Sequence, residues 1–108
     1  MTVKQFAEKF GFSTVCFPDP DREVVGAYVG DLLSWVMGKA SADNAWITIM
    51  SNINIVAVAS LADLSCIILA EGVTLDEDVK AAAEAKCINV LASKNSAFDI
   101  AITISGAV

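Results

Sequence analysis

Residues 44–62 read Asn-Ala-Trp-Ile-Thr-Ile-Met-Ser-Asn-Ile-Asn-Ile-Val-Ala-Val-Ala-Ser-Leu-Ala. These 19 residues lie between Asp43 and Asp63 and carry no charge. A run of that length is long enough for a bilayer-spanning helix. Asn44, Thr48, Ser51, Asn52, Asn54 and Ser60 argue against that, and Ser51-Asn52 divides the run in two. The first half, Ala45 to Met50, has the Trp-Ile-Thr-Ile centre of a buried strand. The second, residues 53–62, reads as a helix apolar all round, with Ile53, Ile55, Val56, Ala57, Val58, Ala59 and Leu61 spread about its circumference. Such a helix must be covered on every side. In a two-layer domain the cover on its outer face has to come from a partner.

Working outward, the same strand-then-helix unit repeats. Ser65 to Ala70 is an apolar strand around Cys-Ile-Ile-Leu. Thr74 and Glu77 have the spacing of a capping box and open a helix to about Lys86. Ile88 to Ala92 is the last strand, and Ser96 caps a final helix through Phe98, Ile100 and Ile104. Toward the N-terminus, Val3, Phe6, Ala7 and Phe10 recur at helical spacing, with Thr2 and Gln5 as a capping box and Gly11 as the stop. Residues 13–17 and 23–29 read as strands, separated by the Pro18-Asp19-Pro20-Asp21 turn. Asp31 is expected to cap a helix from Leu32 to about Met37, closed by Gly38. Aliphatic strands alternating with helices predict an α/β layered sandwich. Its sheet of about five strands is mainly parallel, with the N-terminal strands free to run the other way. Residues 1–108 form one domain.

Composition narrows the function. Apolar residues make up 56% and charged residues 19%, so the chain has the means to build a core. Seven basic against thirteen acidic residues give a net charge of −6, with no basic cluster, which argues against nucleic acid as a partner. There is no histidine, so Ser-His-Asp, Cys-His and His-ligated zinc chemistry are excluded. Neither a nucleotide P-loop nor a G-x-G-x-x-G fingerprint is present. No cofactor or metal is implied, no apolar leader precedes the first helix, and no membrane span is expected. Cys16, Cys66 and Cys87 sit in or beside apolar strands and read as buried, reduced thiols of a cytoplasmic protein. The apolar excess points to a surface covered by a second copy, although 17 alanines account for part of it.

In parallel α/β sheets, ligands bind beyond the carboxyl ends of the strands. Two loops are placed there. One carries Ser51 and Asn52 after the Thr48 strand; the other carries Ser93, Lys94 and Ser96. Used together, they offer hydroxyls, amides and an ammonium to a phosphate or carboxylate. Taken singly, the same residues are ordinary helix caps. Asp76, Glu77 and Asp78 complement a helix dipole. Trp35 and Trp46 read as core or interface anchors. The candidate interface between copies comprises Ile53, Val56, Ala57 and Ser60, with Ile100 and Ile104 of the last helix.

The stretch Asp21-Arg22-Glu23-Val24-Val25-Gly26-Ala27-Tyr28-Val29-Gly30-Asp31-Leu32-Leu33-Ser34-Trp35-Val36-Met37-Gly38 resembles the DRTGG domain family. Trp46-Ile47-Thr48-Ile49, Asn54 through Leu61, and Phe98-Asp99-Ile100-Ala101 extend the resemblance over nearly the whole chain. Of the naming motif, Asp21, Arg22 and Gly26 are kept, Glu23-Val24 departs, and Ala27 replaces the second glycine. Ser51-Asn52 stands where many relatives place Thr-His.

The resemblance implies a fold like the N-terminal domain of HPr kinase/phosphorylase and MurF. It also implies a non-catalytic regulatory or scaffold role as a homodimer, with a partner enzyme or regulatory protein. The setting it implies is anaerobic hydrogenase or acetyl-phosphate metabolism. A serine-kinase activity is not expected without a P-loop. The alternative is a sensor of a small anion or nucleotide at the two strand-end loops.

Overall fold

The computed structural model describes all residues from Met1 to Val108. Its elements are α1 (Val3–Phe10), β1 (Ser13–Cys16), β2 (Ala27–Val29), α2 (Leu33–Lys39), β3 (Ala45–Thr48), α3 (Asn54–Leu61), β4 (Cys66–Leu69), α4 (Glu77–Ala85), β5 (Asn89–Ala92) and α5 (Ala97–Ile104). The five strands form one sheet in the order β1-β5-β4-β3-β2. Strands β2 to β5 run parallel, and β1 joins β5 antiparallel. The predicted α/β architecture holds, and the sheet is mixed.

The layers number three. Trp46, Ile67, Leu69 and Val90 point to the face packed by α2, α3 and α4. The alternate residues Ala45, Ile47, Cys66, Ile68 and Leu91 point to the face packed by α1 and α5. With both faces covered, every residue of β3 and β4 is buried, which is why these strands read as unbroken apolar runs. Trp46 is fully enclosed, and its indole N–H donates to the Gly30 carbonyl at 2.8 Å. A side chain of this class contributes about 1.5–3 kcal/mol by burial.

Helix α1 begins as predicted. Gln5 N donates to Thr2 Oγ1 and Thr2 N donates to Gln5 Oε1, the two halves of a capping box. Ser96 Oγ accepts from Asp99 N at the start of α5. Four local expectations are corrected. The strand expected over 23–29 is reduced to Ala27–Val29, because Val24 N donates to Met1 O and Val25 N to Asp43 O before the chain turns at Gly26. Asp31 does not cap α2; its Oδ1 accepts instead from Thr48 Oγ1 (2.7 Å) and Ile49 N (3.0 Å). Gly38 lies inside α2, which runs on to Lys39. Thr74 and Glu77 form no box: a turn from Ala70 to Val73 delays α4 until Glu77, with Asp76 at its N-cap.

Candidate functional site

The motif residues build one end of the sheet. Arg22 Nε and Nη2 donate to Asp43 Oδ1 at 3.2 and 2.9 Å, and Nη2 also reaches Asp63 Oδ1 and the Asp63 carbonyl at 2.7 Å. Asp43 and Asp63 both hold left-handed backbone, φ 66° and 57°, in the turns that feed β3 and β4. Arg22 thus ties the N-terminal third of the chain to both turns. Burial by itself would lower its pKa; the hydrogen bonds to Asp63 and Asp43 outweigh that and raise it. Asp21 remains at the surface.

Gly26 sits at φ +80°, and a Cβ there would lie 2.7 Å from Asn44 Nδ2. That amide donates to the Val25 carbonyl at 2.7 Å, while Asn44 Oδ1 accepts from Ser41 N at 3.0 Å. Two further polar residues share this duty. The Ser65 hydroxyl lies 2.5 Å from the Glu23 carbonyl and 2.6 Å from that of Asp43. Asn89 Nδ2 donates to the Asp19 and Ser65 carbonyls. Asn44, Ser65 and Asn89 are buried at the starts of strands and were missed by sequence reasoning. Their signal is positional, a small polar residue just where an apolar strand begins. All of this is architecture at the edge opposite the strand carboxyl ends.

At the carboxyl edge the expected residues fall into two separate groups. Thr48 is buried and donates to Asp31. Asn52 Oδ1 accepts from Asn54 N, a local turn bond, and Ser51 is exposed. Ser93 Oγ accepts from Asn95 N. Ser93 and Lys94 line a cleft of about 170 Å³ with Ser13, Gly72, Val73, Thr74 and Ala92. The β4–α4 loop stands between the two groups, laced to the second by Gly72 N to Ser93 O and Glu71 N to Asn95 O. Neither cavity of the molecule is lined by Ser51 or Asn52.

The larger cavity is an apolar groove of about 430 Å³ between α3 and α4. Ile53, Val56, Ala57, Ser60 and Leu61 form one wall, and Ala82, Ala85 and Lys86 the other. Ile53 is half exposed and Leu61 three-quarters exposed, while Val56 is nearly buried at the groove floor. Ile100 and Ile104 are not surface residues. Both pack into the core beneath α5, so they cannot face another copy.

Part of the apolar surplus lies where the sequence reading put it, with Ile53 and Leu61 exposed at the ends of α3 and Phe98 and Ile102 exposed on α5. A further part was not foreseen: Val25, Val29, Leu32, Trp35, Met37 and Ile49, in or next to β2, α2 and the end of β3, are also exposed. Trp35 carries Lys39 Nζ 4.3 Å above its ring instead of entering the core. The thiols divide as well. Cys16 and Cys66 are buried, and burial pushes the Cys66 pKa up to about 12, whereas Cys87 is exposed in a left-handed turn. No His, Cys, Asp or Glu group converges as a metal site, and no helix is long and apolar enough to cross a membrane.

No protein-family model matches the chain, and no curated protein does. Among solved structures it is similar to the CBS and DRTGG domains of the regulatory region of Clostridium perfringens pyrophosphatase, complexed with the activator diadenosine tetraphosphate. The TM-score is 0.75 at 14% identity, over 95% of this chain and 45% of that one. At that identity the likeness speaks to the fold, which is DRTGG-like. The chain spans less than half the length of that solved chain.

Proposed function

From a DRTGG-like fold, we propose that this chain is a regulatory domain with no catalytic centre of its own, and that it acts as a homodimer joined through α3. The α3–α4 groove carries the reading. Along α3, Ile53, Ala57 and Leu61 follow one another at four-residue spacing on the outer side, a large-small-large pattern. Two such helices crossed antiparallel at Ala57 place Ile53 of one copy beside Leu61 of the other. The small Ala82 and Ala85 leave room for these side chains. The face is also nearly free of charge, since Lys86 is the one ionised residue among those lining the groove. On a chain of net charge −6, an uncharged face is where two copies meet with least repulsion.

A stable dimer covers about 800 Å² per copy, out of the chain's 5367 Å². The pyrophosphatase neighbour is a regulatory region, which supports the regulatory part of the reading. The resemblance adds a partner enzyme, in anaerobic hydrogenase or acetyl-phosphate metabolism, and the three free cysteines favour a cytoplasmic setting. Sedimentation of the chain at micromolar concentration tests the dimer, and a single 11.3 kDa species would end the proposal.

The cleft at Ser93 and Lys94 favours a second reading, a sensor of a small anion. Three side-chain hydroxyls, from Ser13, Thr74 and Ser93, and one ammonium line it, with no carboxylate. Thermal-shift measurements with inorganic phosphate and acetyl phosphate test it. A shift at millimolar ligand that is lost in Lys94→Ala supports the reading, and no shift refutes it.

A further inference from the structure

Helix α3 lies between α4 on one flank and α2 on the other, all three on the same face of the sheet. With eight residues it is about 12 Å long. A contact confined to it falls short of the roughly 800 Å² per copy that a stable interface covers, so a dimer joined there has to extend over a flank. The α4 flank is acidic. Glu77, Asp78 and Glu84 are exposed, and only Glu77 is ion-paired, to Lys80. Asp78 stands one turn before Ala82, on the side of α4 that lines the groove. The α2 flank carries no carboxylate from Leu32 to Ala42, and Lys39 is its single charge. Residues 44–62 carry no charge at all, and Asp43, between the two stretches, is held by Arg22 at 2.9 Å. The α2 flank is also apolar at its surface, with Trp35 56% and Leu32 57% exposed. Lys39 Nζ stands 4.3 Å from the centre of the Trp35 ring, a cation–π contact that still leaves more than half of the residue bare.

Charge and symmetry together select the occupant. Two chains of net charge −6 approach each other with least repulsion where neither presents a carboxylate, which is over α3 and α2 and not over α4. Strands β2, β3 and β4 are parallel neighbours, so α2 and α3, which connect them, run in the same general direction. A two-fold that crosses α3 antiparallel to its counterpart at Ala57 therefore also lays α2 along α2 of the second copy. Resting on the homodimer reading, we propose that α2 is the second part of the dimer contact and that Trp35 is its anchor. A tryptophan buried on association brings a large apolar area into the contact, and it is among the residue types that carry most of the energy at interfaces.

The test reads Trp35 by its fluorescence in the full chain. The chain has two tryptophans and Trp46 is fully enclosed, so quenching by neutral acrylamide reports on Trp35. In Leu61→Arg, the monomer reference, the Trp35 emission should quench readily. In wild type at micromolar concentration its quenching constant should be at least threefold smaller, and it should rise again on dilution into the monomer. In sedimentation equilibrium, Trp35→Ser should raise the dissociation constant of the dimer at least tenfold with native circular dichroism. Glu84→Gln, on the other flank, should leave it within about threefold. A wild-type dimer whose Trp35 is as open to acrylamide as that of Leu61→Arg overturns the proposal, and this readout needs no Trp35 variant to fold. An unchanged dissociation constant in Trp35→Ser, or a tenfold change in Glu84→Gln, overturns it as well. Each of these results leaves the α3 homodimer standing, whereas a wild-type chain that sediments at 11.3 kDa at micromolar concentration ends both.

Discussion

Replacing Gly26 with alanine should be among the costliest small substitutions in this chain. A non-glycine residue at φ +80° carries left-handed strain of about 1–2 kcal/mol. The new Cβ would also stand 2.7 Å from Asn44 Nδ2, so the Asn44 side chain has to move. Moving it weakens the bond to Val25 O and the one from Ser41 N, each worth about 1 kcal/mol where the group is buried. The sum is about 2–4 kcal/mol. For a domain of this length that corresponds to roughly 10–25 °C of Tm, or about 1–2 M in urea midpoint. Urea unfolding followed by Trp46 fluorescence is the assay. Gly38→Ala provides the control of opposite sign, since Gly38 is helical and a Cβ there meets nothing within 4 Å. It should stabilise by about 0.5–1 kcal/mol. In an Asn44→Ala background the penalty of Gly26→Ala should fall to the strain alone, a coupling of about 1–2 kcal/mol. A Gly26→Ala chain within 0.5 kcal/mol of wild type, or an unchanged penalty in that background, would refute the reasoning.

Other consequences follow from the same geometry. Arg22→Met should cost about 2 kcal/mol in urea unfolding, less than a fully buried pair because both carboxylates touch water. Native protein should show one thiol, Cys87, reacting promptly with a disulfide reagent, and all three after unfolding. The Cys66 thiol has its folded pKa raised to about 12, so the stability it contributes is fully present below the ordinary thiol range and is lost as pH rises toward that value. Urea midpoints should accordingly fall on the alkaline side of about pH 9, and Cys66→Ala should reduce that fall.

The strand–helix units from Ala45 onward were legible because a strand buried on both faces must be apolar throughout, and β3 and β4 are. Helix α1 was legible for the opposite reason, a one-sided apolar pattern with a capping box. What failed were places where a polar side chain had a choice of partner. Asp31 stands before a helix and satisfies the capping rule, but Thr48 and Ile49 N from the neighbouring strand offered it two bonds. Thr74 and Glu77 have the right spacing, yet the chain turns between Ala70 and Val73 before the helix starts. Composition signalled an apolar surplus, and the chain reading located only part of it, the exposed Ile53 and Leu61 of α3 and Phe98 and Ile102 of α5. Ile100 and Ile104 are spent on the core, while Val25, Val29, Leu32 and Trp35 reach the surface around β2. The role of Arg22 was invisible because Asp43 and Asp63 are distant in sequence and meet it only when β3 and β4 lie side by side.

The homodimer is the central functional claim, and sedimentation equilibrium of wild type beside Leu61→Arg addresses it most directly. Leu61 is three-quarters exposed, so the substitution places a charge on the α3 face without disturbing the core. Wild type should sediment at twice 11.3 kDa at micromolar concentration and Leu61→Arg at 11.3 kDa, both with native circular dichroism. A wild-type chain that sediments as a single 11.3 kDa species at micromolar concentration, or a Leu61→Arg chain that stays dimeric, would contradict the account.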